Sequence, residues 1–296
     1  MVLNKFDTLD NYADFLRGNA RELDALYSDV LISVTSFFRN PEAFEFLKSK
    51  VFPKFLEQRS DEPVRVWVVG CSSGQEAYSV AMAFTEASEK ARHMRRLQVF
   101  APDLNETLLE KARRGLYAKN LVPDVSPERL RRFFVEEEGG YRVSKALRDM
   151  VVFARQNLIS DPPFSRMNLI CCRNLLIYLG SSLQKKALPA FHYALKPEGF
   201  LFLGMSESIG SFSDLFEPVD KKHWIYSKKP AQARPFQLPA KRTFAEQPMA
   251  EQSERARAPL AMEVGTKERR EFPETSSTSS GRPIVFCSSN SHRPVS

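Results

Sequence analysis

The stretch Val64-Arg-Val-Trp-Val-Val-Gly-Cys-Ser-Ser-Gly-Gln-Glu-Ala-Tyr-Ser79 decides the fold. Its first six residues are rich in β-branched side chains and too short for a helix, which predicts a buried strand. Gly70-Cys-Ser-Ser-Gly74 then reads as a turn, and residues 76–91 space their apolar groups as a helix does. A strand that passes through a two-glycine loop into a helix is the opening unit of a doubly wound sheet. Such sheets bind ligands at the carboxyl ends of their strands.

Working outward, apolar runs predict further strands over 97–101, ending at Asp103, and over 150–154, 167–172 and 199–203, with a last element over 222–226. Helical spacing over 106–114 and 184–195 separates them. The alternation predicts an α/β fold with a mostly parallel sheet and right-handed crossovers. Ahead of the sheet, residues 9–16, 21–28 and 41–56 read as helices, the last with Asn40 as N-cap and Pro41 in the first turn. The stretch from Arg132 to Val143 reads as a hairpin around Gly139-Gly140. Residues 230–296 hold 8 of the 19 prolines and the run Thr275-Ser-Ser-Thr-Ser-Ser-Gly281, a composition that predicts a disordered tail. The expected organisation is a helical segment over 1–58, a sheet domain over 59–229 and a tail over 230–296.

The 296 residues carry a net charge of +7, divided as +4 up to residue 229 and +3 beyond it. Neither part is basic enough to point to nucleic acid. No apolar run reaches the roughly 18 residues of a membrane span, and the first ten residues lack the apolar core of a signal peptide. A cytoplasmic protein without membrane insertion is expected. Cys71, Cys171, Cys172 and Cys287 form no C-x-x-C pair, and the four histidines never sit at ligand spacing, so free thiols and no metal are expected.

The loop after the first strand has chemistry of its own. Dinucleotide binding favours G-x-G-x-x-G and an exposed helix N-terminus for the diphosphate. Here Gly74 is followed by Gln75-Glu76, and a carboxylate at the helix start suits a cation instead. S-adenosylmethionine has no phosphate and carries an ammonium and a sulfonium, so the loop favours it. Asp103, after the second strand, stands where a carboxylate takes a ribose diol. Glycine turns with a nearby glutamate also occur for structural reasons alone.

Six motifs occur in order: Val34-Thr-Ser-Phe-Phe-Arg39, Trp67 through Ser79, Phe100-Ala-Pro-Asp103, Gln156-Asn-Leu158, Cys172-Arg-Asn-Leu-Leu-Ile-Tyr178 and Leu195-Lys-Pro-Glu-Gly199. Together, over about residues 8–229, they resemble the CheR-type chemotaxis-receptor methyltransferases, and most closely the methyltransferase domain of fused methylesterase–methyltransferase chains. The resemblance implies a Rossmann-like S-adenosylmethionine-dependent methyltransferase sheet with a small β-subdomain. It implies methyl transfer to glutamate carboxylates of chemoreceptor cytoplasmic helices, with S-adenosyl-L-homocysteine as product. Carried over by position, cofactor contacts fall on Thr35, Arg39, Gly70, Glu76, Asp103, Asn157, Leu158, Arg173 and Asn174, and catalytic roles on Arg173 and Tyr178. Glu76 suits the methionine ammonium, Arg39 its carboxylate, and Asn157 with Leu158 the adenine. Phe37, Phe38, Trp67 and Tyr78 read as packing residues.

The chain departs from the family at Gln75, Pro102 and Asn105. Arg17 and Arg21 are the only arginines before Thr35, so the arginine-rich docking helix usual in the family is not evident. A monomer is expected. Asp161-Pro-Pro-Phe164 resembles the D/N-P-P-Y/F motif of amine methyltransferases, yet it precedes the strand that this motif normally follows, and it reads as a rigid loop. Two other functions stay open: an S-adenosylmethionine-binding sensory module without catalysis, and an amine or nucleic-acid methyltransferase.

Overall fold

The computed structural model describes residues 8–23, 26, 35–91, 93, 95–121 and 124–230. Part of the helix expected over 21–28 and almost all of the tail expected over 230–296 lie outside the described residues.

Seven strands form the main sheet: β1 Val64–Val68, β2 Leu97–Asp103, β6 Val151–Arg155, β7 Met167–Cys172, β8 Leu195–Leu203, β9 Phe216–Asp220 and β10 Ile225–Lys228. Their order is β6-β2-β1-β7-β8-β10-β9. β1 runs parallel to both neighbours, with Val66 opposite Val99 on β2 and Leu169 on β7. Only β10 is reversed, antiparallel to both β8 and β9. After β2 and β6 the order jumps back across β1 to β7, which creates the switch point where ligands sit in such sheets.

Helices cover both faces. On one, the helix Gln75–Ser88 packs with Phe37, Phe38, Phe44, Phe52, Phe55 and Tyr78 into a single apolar core. On the other, Trp67 meets Phe191 of the helix Ser181–Ala194 and Phe164 edge to face, at 5.6 and 5.3 Å between ring centres. Trp67, Tyr78, Phe37 and Phe38 are all buried, as their apolar setting predicts, and each such side chain contributes roughly 1.5–3 kcal/mol.

Two details differ from expectation. The helix over 41–56 is interrupted: Pro41–Phe46 and Phe52–Leu56 flank a π-helical stretch, Leu47–Val51. Pro53 has no N–H to close an α-turn onto Ser49, and the ladder widens so that Phe52 N–H reaches the Leu47 carbonyl. The last element is a pair of strands, β9 and β10, rather than one over 222–226. β9 shows no alternation because only Phe216 is buried.

The predicted hairpin is present as β4 Phe134–Glu137 and β5 Gly140–Val143, with its turn at Glu138-Gly139. A two-residue strand, β3 Leu116–Tyr117, pairs with β5 to complete a small antiparallel sheet. A Cβ on Gly140 would lie 2.0 Å from the Tyr117 carbonyl oxygen, so only glycine admits this third strand. Phe37 packs edge-on against Tyr117 and Phe134, and the Tyr117 hydroxyl donates to the Ser73 carbonyl at 2.7 Å. The small sheet is thereby tied to the glycine loop.

Candidate active site

A cavity of about 480 Å³ opens over the carboxyl ends of β1, β2, β6 and β7. That size is usual for a small-molecule site. All ten residues singled out in the sequence line it: Thr35, Arg39, Gly70, Glu76, Asp103, Asn157, Leu158, Arg173, Asn174 and Tyr178. Pro102 from the third motif, with Leu104, Leu108 and Ile159 outside the motifs, adds apolar wall.

The glycine loop turns sharply. Gly70 (φ +62°) and Gly74 (φ +90°) are left-handed, and a Cβ on Gly74 would come 2.8 Å from that of Ala112. Ser72 is also left-handed, which aims its N–H at Asp103 Oδ2, 2.7 Å away. Asp103 Oδ1 accepts from Asn105 N–H at 2.9 Å. Each oxygen thus spends one acceptor site on the backbone, which fixes the carboxylate and leaves acceptor capacity for a diol. Gln75 is buried, and its Oε1 accepts from the Ser73 hydroxyl at 2.7 Å, so this departure from the family serves the loop itself.

Glu76 and Arg173 form an ion pair, Oε2 to Nη1 at 3.1 Å, inside the protein. Burial raises the Glu76 carboxyl above its usual range and Arg173 opposes this; the charge of Glu207 raises it further, while Arg39 lowers it. A bound cation would favour the ionised form, so cation binding should expel a proton and strengthen as pH rises through the Glu76 titration. We expect Glu76→Gln to remove that pH dependence and to weaken S-adenosylmethionine binding about tenfold or more, as calorimetry across pH would read. An unchanged dissociation constant at every pH would show that Glu76 does not meet the ligand.

Arg173 is more deeply engaged than the sequence suggested. Its Nη2 donates to the Arg39 carbonyl and to Asn40 Oδ1, both at 2.7 Å, while its plane lies over Phe202 and Phe44. Asn40 sits at the N-cap position but is left-handed (φ +63°) and makes no side-chain cap. Its amide instead links Arg173 to Met205 Sδ, 2.8 Å away. Tyr178 ends a short 3₁₀ turn and is half exposed at the cavity mouth.

Glu207 escaped the sequence reading. It is buried, and its carboxylate accepts four backbone N–H groups: Oε2 from Asn174 at 2.9 Å and Gly204 at 2.7 Å, Oε1 from Leu175 at 2.8 Å and Leu176 at 2.6 Å. One side chain therefore holds the Arg173–Tyr178 loop against the loop after β8. Asn157 Oδ1 serves its own turn, accepting from Ile159 and Ser160 N–H. Asp161 accepts from Asn157 N–H and the Ser160 hydroxyl, and Phe164 packs on Trp67 and Phe100, so Asp161-Pro-Pro-Phe164 is a folded loop with its motif groups occupied. Among the described residues no group of three or more His, Cys, Asp or Glu could hold a metal, and no helix is long and apolar enough to cross a membrane.

Comparison with known proteins agrees with this geometry. A 104.1 kDa protein of Rhodobacter capsulatus, described as uncharacterized, is 39% identical over 227 residues, 76% of this chain. The chain spans only 24% of that protein. A chemotaxis protein methyltransferase of Pseudomonas putida is 35% identical over 69% of this chain and 75% of its own length. Chemotaxis protein methyltransferase 1 of Pseudomonas aeruginosa is 34% identical over the same shares. Residues 33–225 match the model described as CheR methyltransferase, SAM binding domain. The chain therefore belongs to the CheR methyltransferase family, and its cavity lies within the family's S-adenosylmethionine-binding domain.

Proposed function

We propose that this domain methylates glutamate side chains on the cytoplasmic helices of chemoreceptors, using S-adenosylmethionine and releasing S-adenosyl-L-homocysteine. The observation that carries the reading is the convergence of ten residues from five separate stretches of sequence on one cavity with a carboxylate at each of two places, Asp103 and Glu76. The residues fit the cofactor. Gly70 is left-handed, and a Cβ there would stand 3.2 Å from the Leu175 side chain, so glycine lets the loop turn beneath this wall residue of the cavity. Asp103 faces a ribose diol, Pro102, Leu104, Leu108, Leu158 and Ile159 make an apolar slot for adenine, and Glu76 meets the ammonium. Thr35 and Arg39 close the methionine end.

When bound, S-adenosylmethionine supplies a methyl group activated by its sulfonium. A glutamate acceptor is already anionic at neutral pH, with an ordinary pKa of about 4.3, so no general base is needed. The acceptor carboxylate would be the nucleophile and S-adenosyl-L-homocysteine the leaving group, and the residues present would hold the acceptor oxygen in line with the methyl group. The chain's work is alignment and exclusion of water, which can supply roughly 7–11 kcal/mol. Tyr178 stands at the mouth where the acceptor enters, and Arg173 holds Glu76 and the Arg39–Asn40 segment in register.

The test is incubation of the protein with radiolabelled S-adenosylmethionine and a chemoreceptor cytoplasmic fragment, with DNA and RNA as parallel acceptors. We expect base-labile label, the mark of a methyl ester, in the fragment alone. Cofactor binding without transfer would favour a sensory module, and label in nucleic acid would favour the other enzyme class.

A further inference from the structure

The cofactor cavity occupies half of the sheet's carboxyl edge; the other half, past the switch point, carries a second cavity of about 400 Å³ over β8 and the start of β10. Its walls are largely apolar: Pro41, Ala43, Phe202, Leu203, Met205 and Trp224. Arg173 belongs to the walls of both cavities. Asn40 bridges them, bonded to Arg173 on one side and to Met205 on the other. At the rim, Met205 is 54% exposed, and Tyr178 and Ile177 leave 55% and 46% of their surface open on the loop that Glu207 clasps to it. Large apolar groups exposed beside a catalytic mouth mark a surface built to be covered.

The charges decide what covers it. Arg173 is matched by Glu76, and at the rim Lys222 is matched by Glu42 at 2.6 Å, with His223 beside Asp220 at 2.9 Å. Each arginine and lysine of the wall has a carboxylate partner, and most of the remaining wall is apolar, so the cavity suits an apolar occupant. An acceptor side chain at Tyr178 brings its own polypeptide across this rim, and on a helix the residues three and four positions away share its face.

We propose that the second cavity is a substrate subsite that receives the apolar side chains flanking the acceptor glutamate on the same helix face. This rests on the proposed transfer to receptor helices and names what else in the acceptor is read. Methylation would then be selective for glutamates with an apolar neighbour one helical turn away.

Binding of a chemoreceptor cytoplasmic fragment to the full chain, with S-adenosyl-L-homocysteine present, tests the subsite without turnover. Ala43→Leu narrows the cavity and Met205→Gln makes its rim polar at nearly constant size; both leave the charge unchanged. We expect fragment binding to weaken about tenfold in each, the scale of one apolar side chain left unburied. The S-adenosyl-L-homocysteine dissociation constant should stay within about twofold. Met205→Gln, at an exposed position, should melt with the parent and covers the case in which Ala43→Leu fails to fold. Unchanged fragment affinity in Met205→Gln, or no fragment binding by the parent, overturns the subsite. A parent that binds the fragment in a cavity-dependent way yet transfers no methyl overturns the proposed activity and leaves the subsite standing.

Discussion

Arg173→Ala should abolish methyl transfer and also lower the unfolding free energy by about 3–5 kcal/mol, the cost of leaving one partner of a buried ion pair without the other. For a domain of this size that is a fall in Tm of about 10 °C. The catalytic role that the resemblance gives Arg173 implies the loss of turnover. The geometry adds the stability cost, because the guanidinium holds Glu76, the Arg39 carbonyl and Asn40 Oδ1 at once. Glu76 would lose the strongest influence that opposes its burial, and its carboxyl would move further upward. Arg173→Lys should recover part of the stability and little of the turnover, since one ammonium cannot span the three acceptors as a planar fork does. Thermal melts beside a radiolabelled-methyl assay check this, and an alanine variant with parental Tm and turnover would refute both roles.

Glu207→Gln should lower stability by about 2–4 kcal/mol and reduce kcat more than it weakens cofactor binding. The carboxylate accepts two N–H groups at each oxygen, so an amide nitrogen in either place confronts two donors and leaves them without partners. The loop from Arg173 to Tyr178 is released at the end that faces the acceptor. The loss of negative charge acts in the opposite sense on Glu76, whose carboxyl Glu207 helps to raise. Cofactor affinity at low pH should therefore fall less than turnover does. Equal losses in both, measured by calorimetry and by initial rates, would reduce Glu207 to a purely structural role.

The sheet and the cofactor side were legible because their signals are local. Val64–Val68, the glycine loop and Glu76 are consecutive, and Asp103, Asn157 and Arg173 each stand at a strand end where the fold must place a ligand. Asn40 misled because its type and its neighbour Pro41 are those of a capped helix start, whereas tertiary partners at Arg173 and Met205 claim the side chain. Glu207 was invisible for the opposite reason: three of its four backbone partners lie 31–33 residues back in the chain and leave no trace in residue type. β3 and β9 were missed because two residues, or one buried residue in five, establish no period.

The bond from Arg173 to the Arg39 carbonyl spans 134 residues. Between those ends lie the glycine loop, Asp103 and Asn157, and the Glu207 clasp comes later still. The lining of the pocket runs from Thr35 to Leu179, so a nascent chain cannot assemble it until residue 179 has left the ribosome. Contacts this distant in sequence form slowly, because the intervening loop must close first. Cofactor captured at that moment would stabilise the finished fold by mass action, so folding yield should rise with the S-adenosylmethionine present during synthesis.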